Sequence, residues 1–156
     1  MTLAAEATRT VALVAGVAAT LVAMLAWLSV RALRLPPADP NRLVAELRLA
    51  QLAAVVLAFV GAAYVGLAAA QPAVRGAGLD VALALGFLIV AATAPLRDPR
   101  EALTLLALAF VAHAVADVLH RPGWLPDGLV PGWYAVGCAV QNAMAAAICY
   151  LPLLRR

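Results

Sequence analysis

The chain contains no lysine and a single serine, Ser29. Without lysine there is no Schiff base, so attached retinal or pyridoxal is excluded. Serine hydrolases lose their nucleophile elbow, and neither an H-E-x-x-H pair nor a phosphate-cradling glycine loop is present. Charge is scarce too: Asp, Glu, Lys and Arg make up 12% of the residues, against roughly 25% in a soluble domain. The net charge of +3 comes from arginine alone. No basic stripe interleaved with aromatics is found, so nucleic acid is not an expected partner. Cysteine is limited to Cys138 and Cys149, which on one helix stand about 16 Å apart and cannot pair. They read as small buried hydrophobes.

What the chain has in abundance is apolar sequence. Hydrophobic residues are 66% of the total and the mean hydropathy is +0.98, gathered in long blocks rather than alternating runs. The blocks predict helices over residues 10–33, 40–70, 79–96, 99–120 and 131–154, each near the ~20 residues that cross a bilayer core. The first exceeds the apolar length of a signal peptide and is read as a retained helix. The expected fold is therefore an all-α integral membrane bundle, one transmembrane domain of five helices over residues 1–156 with lipid as its main partner.

Punctuation between the blocks supports these bounds. Asp39-Pro40 and Asp98-Pro99 each set a capping carboxylate before a proline in the first turn, with Glu101 placed to complete a capping box. Asp80 opens the third helix and is read as another carboxylate serving orphan amides there. Arg42, Glu46 and Arg48, in the first turns of the second helix, are expected in the interfacial region. Trp124, Trp133 and Tyr134 suit an aromatic belt around the loop from Arg121 to Gly132, which is read as interfacial or as a lid.

Arginine sets the direction. Arg31, Arg34, Arg42, Arg48, Arg97, Arg100, Arg155 and Arg156 fall on one side of the threaded helices, and Arg9, Arg75 and Arg121 on the other. The richer side is cytoplasmic by the positive-inside rule, which puts the N-terminus outside and the C-terminus in the cytoplasm, as in a bacterial inner-membrane protein.

Small residues recur at spacing four: Ala12, Gly16 and Thr20; Ala58, Ala62, Gly66 and Ala70; Ala135, Ala139, Ala143 and Ala147. Such rows allow close backbone approach, here expected within the bundle, with a homodimer seam as the alternative.

Polar side chains inside the blocks are few, and His113, Asp117 and His120 share one face of the fourth helix. His113 lies about 18 Å and Asp117 about 24 Å along the axis from Glu101, in the outer half of the core. Ionisable groups at such depth face a bundle interior or a wet cavity. Three readings stand: a self-satisfied polar patch at the outer membrane edge, a transition-metal site suited by imidazole and carboxylate, and a proton or cation relay. The two histidines are about 10.5 Å apart along the axis, so one ion needs a ligand from another helix.

The fifth helix offers Tyr134, Cys138, Asn142 and Tyr150 in one row, with Gln141 adjacent; His113 is expected to meet Asn142 or Gln141. The expected site therefore comprises His113, Asp117, His120, Asn142, Gln141 and Tyr134, with His113, Asp117 and His120 as the metal set. Helices one to three are read as scaffold.

The run His113-x3-Asp117-x2-His120, followed by Pro131, Trp133-Tyr134, Cys138 and Tyr150, resembles a pattern at the C-terminal end of a family of small bacterial polytopic membrane proteins. The resemblance covers about a quarter of the chain and implies a membrane bundle with no particular activity. In that family a carboxylate is expected where this chain has Asn142. The function expected is a site between helices four and five that binds or conducts a cation, proton or small ligand, in an oligomer. An accessory or assembly subunit of a larger membrane complex is the alternative. An enzyme is not the expected reading.

Overall fold

The computed structural model describes residues 3–71, 74–120, 124–125 and 128–155. Among them are five α-helices and no strand: α1 (Leu3–Arg34), α2 (Pro40–Ala70), α3 (Ala77–Thr93), α4 (Pro99–Leu119) and α5 (Gly132–Tyr150). All five are long and apolar enough to cross a membrane, α3 and α5 with the 3-10 turns that extend them.

Local chemistry accounts for the ends. Asp39 Oδ1 accepts from the Asn41 amide at 2.8 Å with Pro40 in the first helical position. Asp98 Oδ1 does the same for the Arg100 amide at 3.0 Å. Glu101 is exposed and returns no bond to Asp98, so the reciprocal half of the capping box is not made. Proline also shapes two C-termini. Pro95 and Pro152 sit where α3 and α5 tighten into 3-10 turns, Ala94–Leu96 and Leu151–Leu154. Gly76, at φ 88°, makes the left-handed turn into α3 that a side chain would resist. At the start of the chain α1 begins at Leu3, ahead of residue 10, because Leu, Ala and Glu there are strong helix formers.

Helix α2 is central and touches the other four, which stand around it in the order α1, α5, α4, α3. Leu49, Leu57, Leu103, Leu106, Phe110 and Cys149 are fully buried where α2, α4 and α5 meet. Gly61 permits the closest approach of α2 to α3, since a Cβ there would lie 3.4 Å from the Ala84 carbonyl oxygen. Ser29 Oγ donates to the Ile148 carbonyl at 3.0 Å and ties the second half of α1 to α5. The first half of α1 packs on nothing described; Val11, Leu13, Val14 and Val17 are exposed.

The small-residue rows pack within the bundle only in part: Ala135 is buried and Ala58 and Ala139 are half-buried, while the rest face outward. Ala12, Gly16 and Thr20 are exposed, as are Ala62, Gly66, Ala70, Ala143 and Ala147. The residues that bury α5 are instead Ala135, Cys138, Asn142, Ala145, Ala146 and Cys149, one position round the helix. Tyr150 also points outward and leaves the row assigned to it.

Arg31, Arg34, Arg42, Arg48, Arg97, Arg100 and Arg155 gather toward one end of the bundle and Arg9 and Arg75 toward the other. Arg121 and Arg156 lie outside the described residues. So do residues 122–123, 126 and 127 of the proposed lid. The described remainder tucks in: Leu125, Leu129 and Val130 are buried, and the Leu129 carbonyl accepts from Gln71 Nε2 at 3.2 Å.

Candidate functional site

The polar residues of the bundle fall into groups at its two ends. At the arginine-rich end, Arg42 Nε bonds Glu46 Oε1 at 3.0 Å, and Arg100 Nη1 approaches the same oxygen at 3.5 Å. The guanidinium of Arg42 also reaches the carbonyls of Pro152 (3.2 Å) and Arg155 (2.7 Å), and Arg100 Nη2 reaches that of Leu153 at 3.0 Å. Arg42 and Glu46 are thus buried among the helices, and Arg48 is exposed. Their placement follows from the last carbonyls of α5, whose helical partners have run out and which attract cations.

The other group is built from three helices. His113 and Asp117 stand one turn apart on α4, with His113 Nδ1 and Asp117 Oδ2 separated by 3.3 Å. From α5, Asn142 Nδ2 lies 2.9 Å from Asp117 Oδ2, 3.1 Å from His113 Nδ1 and 3.4 Å from Cys138 Sγ. From α2, the Tyr64 hydroxyl donates to Asp117 Oδ1. All five side chains are buried, Asp117 and Asn142 completely. A ring nitrogen of His113, a carboxylate oxygen of Asp117 and Cys138 Sγ lie within 4.8 Å of one another, a spacing from which they could hold a metal ion.

His120 does not join this set. It caps α4, its Nδ1 2.8 Å from the Ala116 carbonyl oxygen and its Nε2 2.9 Å from Asp80 Oδ1. A carbonyl only accepts, so Nδ1 carries a hydrogen, and the contact at Nε2 needs a further proton held by either His120 or Asp80. The structure therefore divides the expected metal set of His113, Asp117 and His120. His120 lies about 10.5 Å further along α4 than His113, at the level of Asp80 of α3, while α5 presents Cys138 to the other two. Asp80 is corrected at the same time. It makes no capping bond at the start of α3 and points inward, with Oδ2 buried and unpartnered among the described residues.

A cavity of about 10 Å³, room for one water, lies between the two pairs, lined by Tyr64, Asp80, Phe87, His113 and His120 among others. Phe87 stacks on His113 with ring centroids 4.5 Å apart and closes the α3 side. Tyr134 is half-buried one turn before Cys138, edge-on to Tyr64 at 6.4 Å. Gln141 is half-buried and makes no side-chain hydrogen bond to the cluster; Asn142 alone meets His113.

Tyr64, Asp80 and Cys138 are the residues that sequence reasoning left outside the site. Tyr64 carried a signal, being the one hydroxyl in the long apolar stretch of α2. Asp80 was masked by its position in a first helical turn, and Cys138 by its resemblance to a small hydrophobe. Helix α2 thus contributes Tyr64 to the cluster, and α3 packs Phe87 against His113. No protein-family model, curated protein or solved structure matches this chain.

Proposed function

We propose that this chain is a multi-pass protein of the bacterial inner membrane whose Tyr64, His113, Asp117, Cys138 and Asn142 form a one-sided binding site for a small cation. The reading rests on one observation above the others: a carboxylate, an imidazole and a thiol, all buried, converge from two helices within 4.8 Å. Such convergence of costly groups in a bundle interior is what intramembrane cation sites use. Arginine asymmetry supports an orientation with the N-terminus outside and the C-terminus cytoplasmic, so that the site opens outward.

Binding fits better than conduction. Toward the arginine-rich end the cluster is followed by Leu57, Val60, Leu106, Phe110, Ala145 and Cys149, a closely packed, buried layer. No polar side chain bridges that layer among the described residues. An ion entering from the outer side would stop at Asp117.

The test is cation binding by the purified protein in detergent, by equilibrium dialysis of zinc(II), cobalt(II), calcium and magnesium against wild type and Asp117→Asn. One ion per wild-type chain and none on the variant is the expected result. A wild type that binds no more of any of them than the variant overturns the reading.

An accessory role in a larger membrane assembly, or a homo-oligomer, is favoured by a different observation, the exposed first half of α1 and the outward rows of small residues. Native mass spectrometry from mild detergent tests it, a single chain with no partner or second copy being the outcome against it.

A further inference from the structure

The position of Asn142 carries the cation reading further. Its Nδ2 sits within hydrogen-bonding reach of Asp117 Oδ2, His113 Nδ1 and Cys138 Sγ together, so one nitrogen stands at the focus of three potential ligand atoms. Of the three, Asp117 Oδ2 is the nearest acceptor for the amide hydrogens, at 2.9 Å. Its other end is equally telling: Oδ1 is buried and has no partner among the described residues. An unpaired carbonyl oxygen in an apolar interior carries a desolvation cost that nothing returns.

We infer that the cluster is a site for a divalent transition-metal ion held by His113 Nδ1, Asp117 Oδ2 and Cys138 Sγ, in which Asn142 fills the focus with Nδ2 in the metal-free protein and turns its Oδ1 onto the bound ion as the fourth ligand. This rests on the cation-binding reading above and names the class of cation.

The turn follows from simple electrostatics. Were Oδ1 at the focus without an ion, it would face the Asp117 carboxylate oxygen, like against like. With an ion at the focus the preference reverses, since a donor hydrogen is repelled and a carbonyl oxygen is attracted. A rotation about the terminal torsion exchanges the two ends without moving α5, because that torsion is broad and nearly two-fold. The orphan oxygen then gains its partner.

The donor set also selects the metal. One nitrogen, one thiolate and two oxygens make a four-coordinate mixed site suited to zinc(II), cobalt(II) or copper(II), whereas calcium and magnesium want six or more oxygens. On binding, Cys138 gives up its thiol proton, so one proton leaves as one ion enters. Thiolate and carboxylate then balance a divalent charge, and the loaded site is neutral, the form that hydrocarbon surroundings tolerate best. Tyr64 contributes indirectly by holding Asp117 Oδ1, which leaves Oδ2 to face the focus.

Cobalt(II) is the probe that separates this proposal from the broader one. Wild-type protein titrated with cobalt(II) in detergent should develop the tetrahedral visible bands and a near-ultraviolet thiolate-to-cobalt charge-transfer band. That band should vanish in Cys138→Ser and persist in Cys149→Ser. Asn142→Leu should weaken cobalt(II) at least tenfold, by analogy with the ~10–100-fold that even indirect partners are worth. Asn142→Asp, which keeps an oxygen ligand and discards the donor, should restore it. A millimolar excess of calcium or magnesium should not displace the ion.

Cobalt(II) bound by wild type without the thiolate band overturns the metal site while leaving cation binding standing, and this outcome needs no variant to fold. Binding as tight in Asn142→Leu as in wild type overturns the amide ligand, as does failure of Asn142→Asp to bind better than Asn142→Leu. Displacement by calcium or magnesium overturns the metal class. No cation bound at all overturns both readings.

Discussion

The two polar groups of this bundle lie about 27 Å apart along α2, from Glu46 to Tyr64, and they fail to balance in opposite senses. At the arginine-rich end the leftover atom is a donor, Arg42 Nη1. In the other group the leftover atoms are acceptors, Asn142 Oδ1 and Asp80 Oδ2. The first group already contains its cations and spends them on a carboxylate and the terminal carbonyls of α5. The second gathers a carboxylate, an imidazole, a thiol and an amide whose oxygen no donor among the described residues reaches. A surplus of guanidinium donors closes a helix end, whereas a surplus of buried acceptors is what a cation would satisfy. The contrast sets a structural clasp apart from the cluster we propose as a cation site.

Breaking the clasp should have the largest effect on stability. Glu46→Leu leaves Arg42, 3% exposed, without its counter-ion. Removing one partner of a buried pair costs about 3–5 kcal/mol. The expected outcome is a large loss in resistance to unfolding, read by thermal or denaturant-induced loss of helical signal in detergent. Cobalt(II) binding by whatever fraction remains folded should be unchanged. A stability near that of wild type would mean that the α5 carbonyls alone hold Arg42.

The binding site should show the reverse pattern, with affinity falling more than stability. Asp117→Asn retains an oxygen to accept from Tyr64 but removes the charge that offsets a divalent ion. Cation affinity should drop by at least 100-fold, equivalent to about 2.7 kcal/mol, while stability moves by no more than about 1 kcal/mol. Isothermal titration and unfolding curves on the same preparation give both numbers. Tyr64→Phe is milder: Asp117 keeps Asn142 but loses the group that orients it, and about a tenfold loss of affinity is expected. Equal losses of stability and affinity in these two variants would erase the distinction between the two ends.

How far the sequence alone reaches is itself uneven. The helices were legible because apolar blocks of bilayer length and the Asp-Pro starts are local signals, set by neighbours in the chain. The meeting of His113 with Asn142 was legible too, since depth along two antiparallel helices can be counted from their ends. The angular position of each helix was not. Rotation about an axis decides whether Cys138 or Tyr150 faces inward, and in an alanine-rich helix apolar periodicity is too weak to mark a face. Partners from α2 and α3 were hidden for the same reason. Tyr64 and Asp80 reach the site through the crossing of their helices with α4, a long-range property that spacing within one helix does not carry.

His120 offers the smallest expected effect and the sharpest use of that lesson. By spacing it shares a helix face with His113 and Asp117, and a metal set built from the sequence includes it. In the bundle its ring is held from both sides, Nδ1 on the Ala116 carbonyl and Nε2 on Asp80, so both nitrogens are engaged away from the focus occupied by Asn142 Nδ2. A ligand must offer a free lone pair to the ion, and His120 offers none without giving up its bond to Asp80. His120→Gln keeps an amide donor for Asp80 and should leave cobalt(II) affinity within about twofold and its spectrum unaltered, whereas His113→Gln should lose at least tenfold. If instead the two substitutions weaken cobalt(II) alike, α4 presents both histidines to one ion and the division of this face into two pairs is wrong.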